Sequence, residues 1–365
     1  MRRDDLYDRD SRQWRERLSL PPGWELKPHT DWRKNALFAG GDEHDRLRGS
    51  MTRSLTHIQP ENLRRFVEEH AHALIDEFCT AGRADLVQQF STPLPFLLLM
   101  RLFGLDSLEA RDSQQLQENI QVLLEGGEGA VAADATIMRI IAAHVAKRRT
   151  EPSHDLISWM IADESVLSDE EISEQIWLML NAGMGSTANL IANVGEKLVS
   201  SERLRSNLKA GYLDIRSAIR TTLWDNPPVQ NVIGRWPVRD VALGGTVIPK
   251  DDLVVIGLAA ANILCMSPAG VRRDSWTDYN EAHLSFGGGR HQCPAQSVGH
   301  TICHTAVETL FARLPDLALL NADQKLDRGP SIIVAALKSL HVSFTPVPPR
   351  ARRRAAYATG SLGDQ

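Results

Sequence analysis

The sequence predicts a mainly α-helical protein with a small β region, and three observations support this prediction. Apolar residues recur with helical spacing in five segments between positions 46 and 199. β-Branched residues, interrupted by glycine and proline, are concentrated in residues 229–261, as in short strands. The chain has 365 residues, of which 42% are hydrophobic and 24% charged, so it has enough apolar material for a large core.

Helices account for most of the first 200 residues. Four of them are predicted at residues 46–78, 94–105, 112–125 and 133–149. Pro93 and Pro95 suit the start of the second helix, because proline is tolerated in a first turn. A longer helix is predicted from the N-cap residue Ser168 to about Val199. Two glycines near its middle, at positions 183 and 185, lower helix propensity, so we expect a bulge or a close ligand approach there.

The C-terminal part has a different pattern. Residues 229–261 predict short strands and a hairpin, because Gly244 and Gly245 provide a turn. We expect an irregular stretch over residues 262–282 and a helix from about Gln296 to Leu314. Residues 332–344 then predict a closing strand pair.

Charge and cysteine content exclude several classes of protein. With 41 basic and 46 acidic side chains the net charge is -5, so the basic excess of a nucleic-acid binder is missing. The longest nearly apolar stretch, residues 253–266, is shorter than the roughly 18 residues of a membrane span. Four cysteines do not make a disulfide framework, and the charged N-terminus has no apolar run. We therefore expect a cytoplasmic protein without a membrane segment.

Cys293 has the most informative surroundings. Three glycines precede it at positions 287–289 and a predicted helix follows, so backbone N–H groups and a helix N-terminus would stabilise a thiolate. Local chemistry alone leaves three interpretations open: a buried structural thiol, a thiolate ligand of haem or another metal centre, and a zinc site. The candidate zinc ligands are His291, Cys293, His300, Cys303 and His304. Their spacing fits no familiar zinc motif.

The segment Phe286-Gly287-x-Gly289-x-His291-x-Cys293 resembles the haem-binding signature of the cytochrome P450 family. The resemblance covers roughly residues 11–346 and implies a P450-like fold with haem b as cofactor. It implies that Cys293 is the proximal thiolate ligand of the iron. It also implies that Phe286 packs near the sulfur and that His291 bonds a haem propionate.

Further positions match the family at consistent intervals. His44-x-x-x-Arg48 resembles the family pair that binds the propionates, and Arg235 matches another propionate-binding cation. Ser186 and Thr187 lie where the family places the hydroxyl group that relays protons during catalysis. The acidic residue that usually precedes this hydroxyl is replaced by glycine.

One buried ion pair of the family is missing. Its Glu-x-x-Arg motif corresponds here to Thr221 and Trp224, so both charges are absent together. Losing one partner strands a buried charge, whereas replacing both can be nearly neutral. We interpret the change as a coordinated, neutral substitute for the ion pair.

The resemblance implies a haem-thiolate monooxygenase that oxidises a small organic molecule with dioxygen and with electrons from ferredoxin and ferredoxin reductase. The alternatives are a catalytically impaired P450-like helper or binding protein and a truncated, degenerate product. The expected organisation is a shortened N-terminal region, a haem-binding domain and a flexible basic tail, at residues 1–43, 44–346 and 347–365. Because early strands of the family find no counterpart, we expect the strand at 253–256 to have an unpaired edge, with low stability and a tendency to associate.

Overall fold

The computed structural model describes residues 3–16, 19–20, 27–125, 129–266, 280–321 and 325–350. Within these ranges helices dominate and three small sheets accompany them, which confirms the predicted fold class. Most of the predicted tail, residues 351–365, lies outside the described residues. The helices are α1 (Lys27–Thr30), α2 (Gly41–Thr56), α3 (Pro60–Phe78), α4 (Pro93–Leu102), α5 (Ala110–Glu125), α6 (Ala130–Thr150), α7 (Leu156–Ile161), α8 (Asp169–Val199), α9 (Glu202–Lys209), α10 (Ile215–Asp225), α11 (Leu258–Met266) and α12 (Gln296–Arg313).

Helix α8 is the centre of the helical layer and packs against α4, α6, α10 and α12. Its predicted N-cap is confirmed as a capping box, because Ser168 Oγ accepts from Glu171 N at 3.2 Å and Glu171 accepts from Ser168 N at 2.9 Å. The bulge expected at the two glycines is absent, and the helix is continuous there. Packing on several sides outweighs the propensity cost of glycine, which is about 1 kcal/mol per residue.

Three antiparallel sheets stand beside the helices. The strands are β1 (Tyr7–Asp8), β2 (Arg83–Asp85), β3 (Asn231–Pro237), β4 (Val241–Leu243), β5 (Thr246–Ile248), β6 (Val254–Gly257), β7 (Ala318–Leu319) and β8 (His341–Ser343). The predicted hairpin is confirmed as β4–β5, and Gly244 and Gly245 turn it with φ of +57° and +84°. The other sheets have the orders β1-β3-β6 and β2-β8-β7.

The N-terminal segment supplies an edge strand, which the sequence did not predict. Tyr7 pairs with Pro237 and Asp8 with Trp236, so β1 covers one edge of β3. Two residues are enough for this pairing because Trp14 and Trp236 also pack together, with ring centroids 6.2 Å apart. Strand β6 remains an edge strand within the described residues, as expected.

Two predictions for the C-terminal part are wrong. Residues 258–266, whose second half was expected to be irregular, form α11, since alanines at 259–261 favour a helix; residues 267–279 lie outside the described residues. Residues 332–344 give one strand, β8, which pairs with β2 and β7 instead of folding back on itself. β2 lies far away in sequence, and a local pattern does not specify such a partner. No helix of the described chain has the length and apolarity to cross a membrane.

Candidate active site

The Cys293 loop has a fold that only glycine allows. Gly287 and Gly289 adopt φ of +74° and +73°, in the left-handed region that side chains disfavour. The loop closes on itself, because Cys293 N donates to Phe286 O at 2.8 Å and Gln292 N donates to Gly289 O at 3.1 Å. Helix α12 then begins at Gln296. The thiol is therefore held half-buried at the start of a helix.

The environment of the thiol suits a metal ligand more than a free nucleophile. Burial is the main cause that raises the pKa of Cys293, while the backbone N–H of Ala295 and the nearby Arg48 guanidinium lower it in part. A thiol in such a place becomes a thiolate when a metal ion coordinates it. The Arg48 guanidinium also donates to Gln292 O, so α2 is fastened to this loop.

Positive groups converge beside the loop. Burial lowers the pKa of His291 to about 2, and the charges of Arg9, Arg235, His44 and Arg48 lower it further. The His44 and His291 rings lie 4.4 Å apart, and the buried His44 Nε2 has no hydrogen-bond partner among the described residues. The structure thus brings together the four predicted propionate-binding residues.

These groups receive little negative charge from the protein. The buried Arg235 guanidinium lies 3.8 Å from Asp4, and His44 Nδ1 lies 3.2 Å from Asp45. Burial lowers the pKa of Arg48 and of Arg235, which is the effect expected when a buried cation lacks a strong anionic partner. The donor set therefore fits an anionic group with two carboxylates and a metal centre near Cys293.

Arg9 belongs to this cluster and was missed in the sequence. Its buried guanidinium donates to the carbonyl oxygens of Leu37, Ile233 and Gly234 at 3.0, 2.8 and 2.6 Å. Burial, and then the charge of Arg235, lowers its pKa to about 9. No carboxylate pairs with it in the described part of the chain. In a terminal segment rich in arginine, no local signal distinguishes this residue from its solvated neighbours.

Ser186 and Thr187 lie in the middle of α8, and no hydrogen bond connects them to the Cys293 loop in the described residues. Ser186 Oγ donates to Ala182 O at 2.6 Å and remains able to accept a further hydrogen bond. A Cβ atom at Gly185 would meet nothing within 4 Å, so space is left beside the helix.

Known proteins resemble this chain along most of its length, although no protein-family model matches it. It is 30% identical over 366 residues to the cytochrome P450 monooxygenase PikC of Streptomyces venezuelae, which covers 96% of this chain and 84% of PikC. The chain belongs to the cytochrome P450 family. A second P450, CYP107DY1 of Priestia megaterium, is 30% identical over 319 residues, or 85% of this chain and 77% of its own.

Solved P450 structures agree with this assignment. CYP154C4 from Streptomyces sp. W2061 matches with a TM-score of 0.83 at 26% identity, over 92% of this chain and 84% of that structure. CYP154A1 from Streptomyces coelicolor shares the fold at a TM-score of 0.81. As a P450, the protein is a haem enzyme of the monooxygenase type.

A neutral hydrogen-bond network surrounds the two positions that the sequence analysis matched to the family's ion pair. Thr221 and Trp224 are both buried, and Trp224 Nε1 donates to Asn280 O at 2.7 Å. Asn262 extends the network, because its side chain donates to Leu223 O and Ser285 Oγ and accepts from Leu284 N. The loop that leads to Cys293 is thus attached to α10 and α11 without a charge.

The zinc ligands suggested by sequence proximity are not brought together. Cys303 is fully buried in the apolar core, and burial raises the pKa of its thiol. Of those candidates, His300 alone joins a group of possible metal ligands, with Glu281 and His283. His291 and Cys293 lie in the loop before α12, and His304 lies 3.6 Å from Glu308 on the helix itself.

Proposed function

We propose that Cys293 binds the haem iron and that the protein oxidises a small organic molecule with dioxygen. Bound haem would supply the oxygen-activating chemistry, and a cysteine thiolate ligand favours O–O cleavage. The observation that carries this proposal is the half-buried Cys293 thiol beside a cluster of cations with few anionic partners. The backbone hydrogen bonds that close the loop fix the position of the sulfur.

The propionates would be bound by Arg48, Arg235, His44 and His291, with Arg9 behind them. Charge-assisted hydrogen bonds of this kind are roughly twice as strong as neutral ones. Two carboxylates would restore the pKa values that burial and mutual repulsion lower at Arg9 and His291. We place this site in a haem-binding domain of residues 44–346, to which the N-terminal segment contributes Arg9.

Ser186 and Thr187 are proposed to move protons toward the active site. Ser186 Oγ is fixed on Ala182 O, so its remaining lone pairs can accept from a water molecule in the space beside Gly185. That water would take the role of the acidic side chain that other P450s have there. Phe286 packs against His300, with ring centroids 5.2 Å apart, and supports the Cys293 loop from below.

Substrate and electron source are inferred from relatives. A similar protein is described as a polyketide biosynthesis P450 of Bacillus subtilis, and another as a vitamin D(3) 25-hydroxylase of Pseudonocardia autotrophica. We propose an apolar small molecule as substrate, with ferredoxin and ferredoxin reductase as electron donors, in the cytoplasm.

The absorption spectrum of the reduced protein with carbon monoxide tests the proposal. Thiolate ligation predicts a strongly red-shifted Soret band, and Cys293→Ala should abolish it. Cys265→Ala is the matched control, because Cys265 is an exposed free cysteine on α11 and its removal should leave the band unchanged. Persistence of the band in Cys293→Ala would show that another residue binds the iron.

A further inference from the structure

A group of three possible metal ligands lies beside Phe286, whose ring centroid is 5.9 Å from that of His283 and 5.2 Å from that of His300. Glu281, His283 and His300 each offer one ligand atom, and these atoms lie within 4.8 Å of one another. Glu281 Oε2 is 3.8 Å from His283 Nε2. We propose that these three residues form a binding site for a divalent transition metal such as Zn²⁺, separate from the haem iron.

The second observation is that the buried His283 ring lacks hydrogen-bond partners. Its side chain is only 1% exposed, yet neither ring nitrogen has a hydrogen-bond partner among the described residues. A buried polar group without a partner costs about 1–3 kcal/mol, so such groups normally have a reason to be present. A metal ion at Nε2 would satisfy this nitrogen.

The chemistry of the three groups suits zinc. Two imidazoles and one carboxylate form a ligand set that zinc uses, with a fourth position left for water. Metal binding requires neutral imidazoles, and burial lowers the pKa of both His283 and His300. Tetrahedral zinc bonds of about 2.0–2.2 Å require ligand atoms roughly 3.4 Å apart. The Glu281 side chain, which is 63% exposed, can turn inward to reach this spacing.

The groups around the site support its ligands. Arg220 Nη1 lies 3.4 Å from Glu281 Oε1 and leaves Oε2 facing His283, as an outer-shell partner orients a carboxylate. The Trp224 ring stands perpendicular to the His283 ring at 6.0 Å. A metal here would connect the loop before Cys293 to α12, next to the position of the missing ion pair.

Zinc binding by the haem-containing full chain is the test. The protein is treated with a chelator, dialysed against Zn²⁺, and analysed for zinc and iron by mass spectrometry, with iron as the count of haem. We expect one zinc per chain, and affinity more than about 100-fold weaker in Glu281→Gln and His300→Ala, since even outer-shell partners are worth 10–100-fold. His304→Ala is the control, one helical turn along α12, and should bind as the wild type does.

X-ray absorption at the zinc edge separates this site from adventitious binding to cysteine. Nitrogen and oxygen ligands at about 2.0–2.2 Å support the site, whereas a sulfur ligand near 2.3 Å overturns it. Absence of zinc from the wild type overturns it too, as does equal affinity in Glu281→Gln and wild type. Because Glu281 is 63% exposed, that variant is expected to fold normally, and a melting temperature equal to that of the haem-containing wild type verifies this.

Discussion

At the scale of single residues, the site depends on cations that the fold places in apolar surroundings. Arg9 shows how this is done: three backbone carbonyls hold its guanidinium, so its charge is positioned without a carboxylate that would neutralise it. Backbone dipoles stabilise a cation in part and leave its charge available to a ligand. The imidazoles of His44 and His291 belong to the same cluster, and burial lowers the pKa of both.

The rate of haem release measures how strongly these cations hold the cofactor. We expect Arg9→Gln, Arg48→Ala and Arg235→Ala each to release haem faster, because a hydrogen bond to a charged group contributes about 1.5–3 kcal/mol, or roughly 10- to 150-fold. Transfer of haem to an acceptor protein gives the rates. Arg9→Lys should restore part of the retention, since it keeps the charge.

Two exposed arginines serve as controls for these variants. Arg12 pairs with Asp10 on the same segment as Arg9, and Arg239 lies in the exposed turn between β3 and β4. Their alanine variants should release haem at the wild-type rate. Equal rates of haem release in Arg9→Gln and Arg12→Ala would show that Arg9 does not contribute to haem binding.

At the scale of secondary-structure elements, the start of α8 carries a pH-sensitive contact. The Arg46 guanidinium donates to Glu171, which is the main cause that lowers the pKa of this carboxyl from its ordinary 4.5 to about 2. The folded pKa is below the unfolded one, so the contact stabilises the protein above about pH 4.5 and is lost as the pH falls toward 2. Its contribution is roughly 1–3 kcal/mol, reduced by the half-exposed Arg46.

Melting temperature as a function of pH tests this contact. Glu171→Gln should melt below the wild type at pH 7, and the difference should shrink as the pH falls from about 4.5 to 3. Glu170→Gln provides the control, because Glu170 is 70% exposed beside Lys34. A constant difference at all pH values would assign the effect to the capping hydrogen bond alone.

The neutral network on α10 gives a second prediction for an element. Thr221 is 2% exposed, so Thr221→Glu should bury a carboxylate without a partner and destabilise the fold by about 3–5 kcal/mol. Adding Trp224→Arg should recover part of this loss. Trp224→Phe isolates the hydrogen bond to Asn280 and should cost about 0.5–1.5 kcal/mol.

A double-mutant cycle provides the measurement. It compares the unfolding free energies of the wild type, Thr221→Glu, Trp224→Arg and the double variant. A coupling energy of zero would mean that the two positions do not face each other, and the comparison with the family motif would then be mistaken. The haem content of each variant is measured as well, because the network supports the loop before Cys293.

At the scale of the whole molecule, local signals and long-range pairings differ in how well they could be predicted. The N-cap at Ser168, the hairpin at Gly244 and the Cys293 loop were predictable, because each depends on the residues within it. The pairing of β1 with β3 and of β8 with β2 was not, since the partners are more than 200 residues apart. The position of Arg9 depends on the pairing of β1 with β3, so its role could not be predicted either.

One edge of β6 is not paired by any described strand, which gives a prediction for the whole molecule. Val255 is 45% exposed on this edge strand, and an uncharged edge favours pairing with a second copy. We expect Val255→Lys to reduce self-association in sedimentation velocity experiments at high protein concentration. Val247→Lys, on the exposed β4–β5 hairpin, is the control. Identical sedimentation of Val255→Lys and wild type would exclude this edge as the contact.

The short strand β1 links the N-terminal segment to the proposed haem site. Tyr7 and Asp8 dock on β3, and the next residue, Arg9, lies close enough to His291 to lower its pKa. Docking of β1 on β3 and binding of the cofactor are therefore coupled. Each makes the other more favourable by the same free energy. Haem should slow hydrogen exchange of the β1 amides by the same factor by which a docked β1 tightens haem. A fusion or cleavage at the N-terminus would then change cofactor occupancy without touching the pocket.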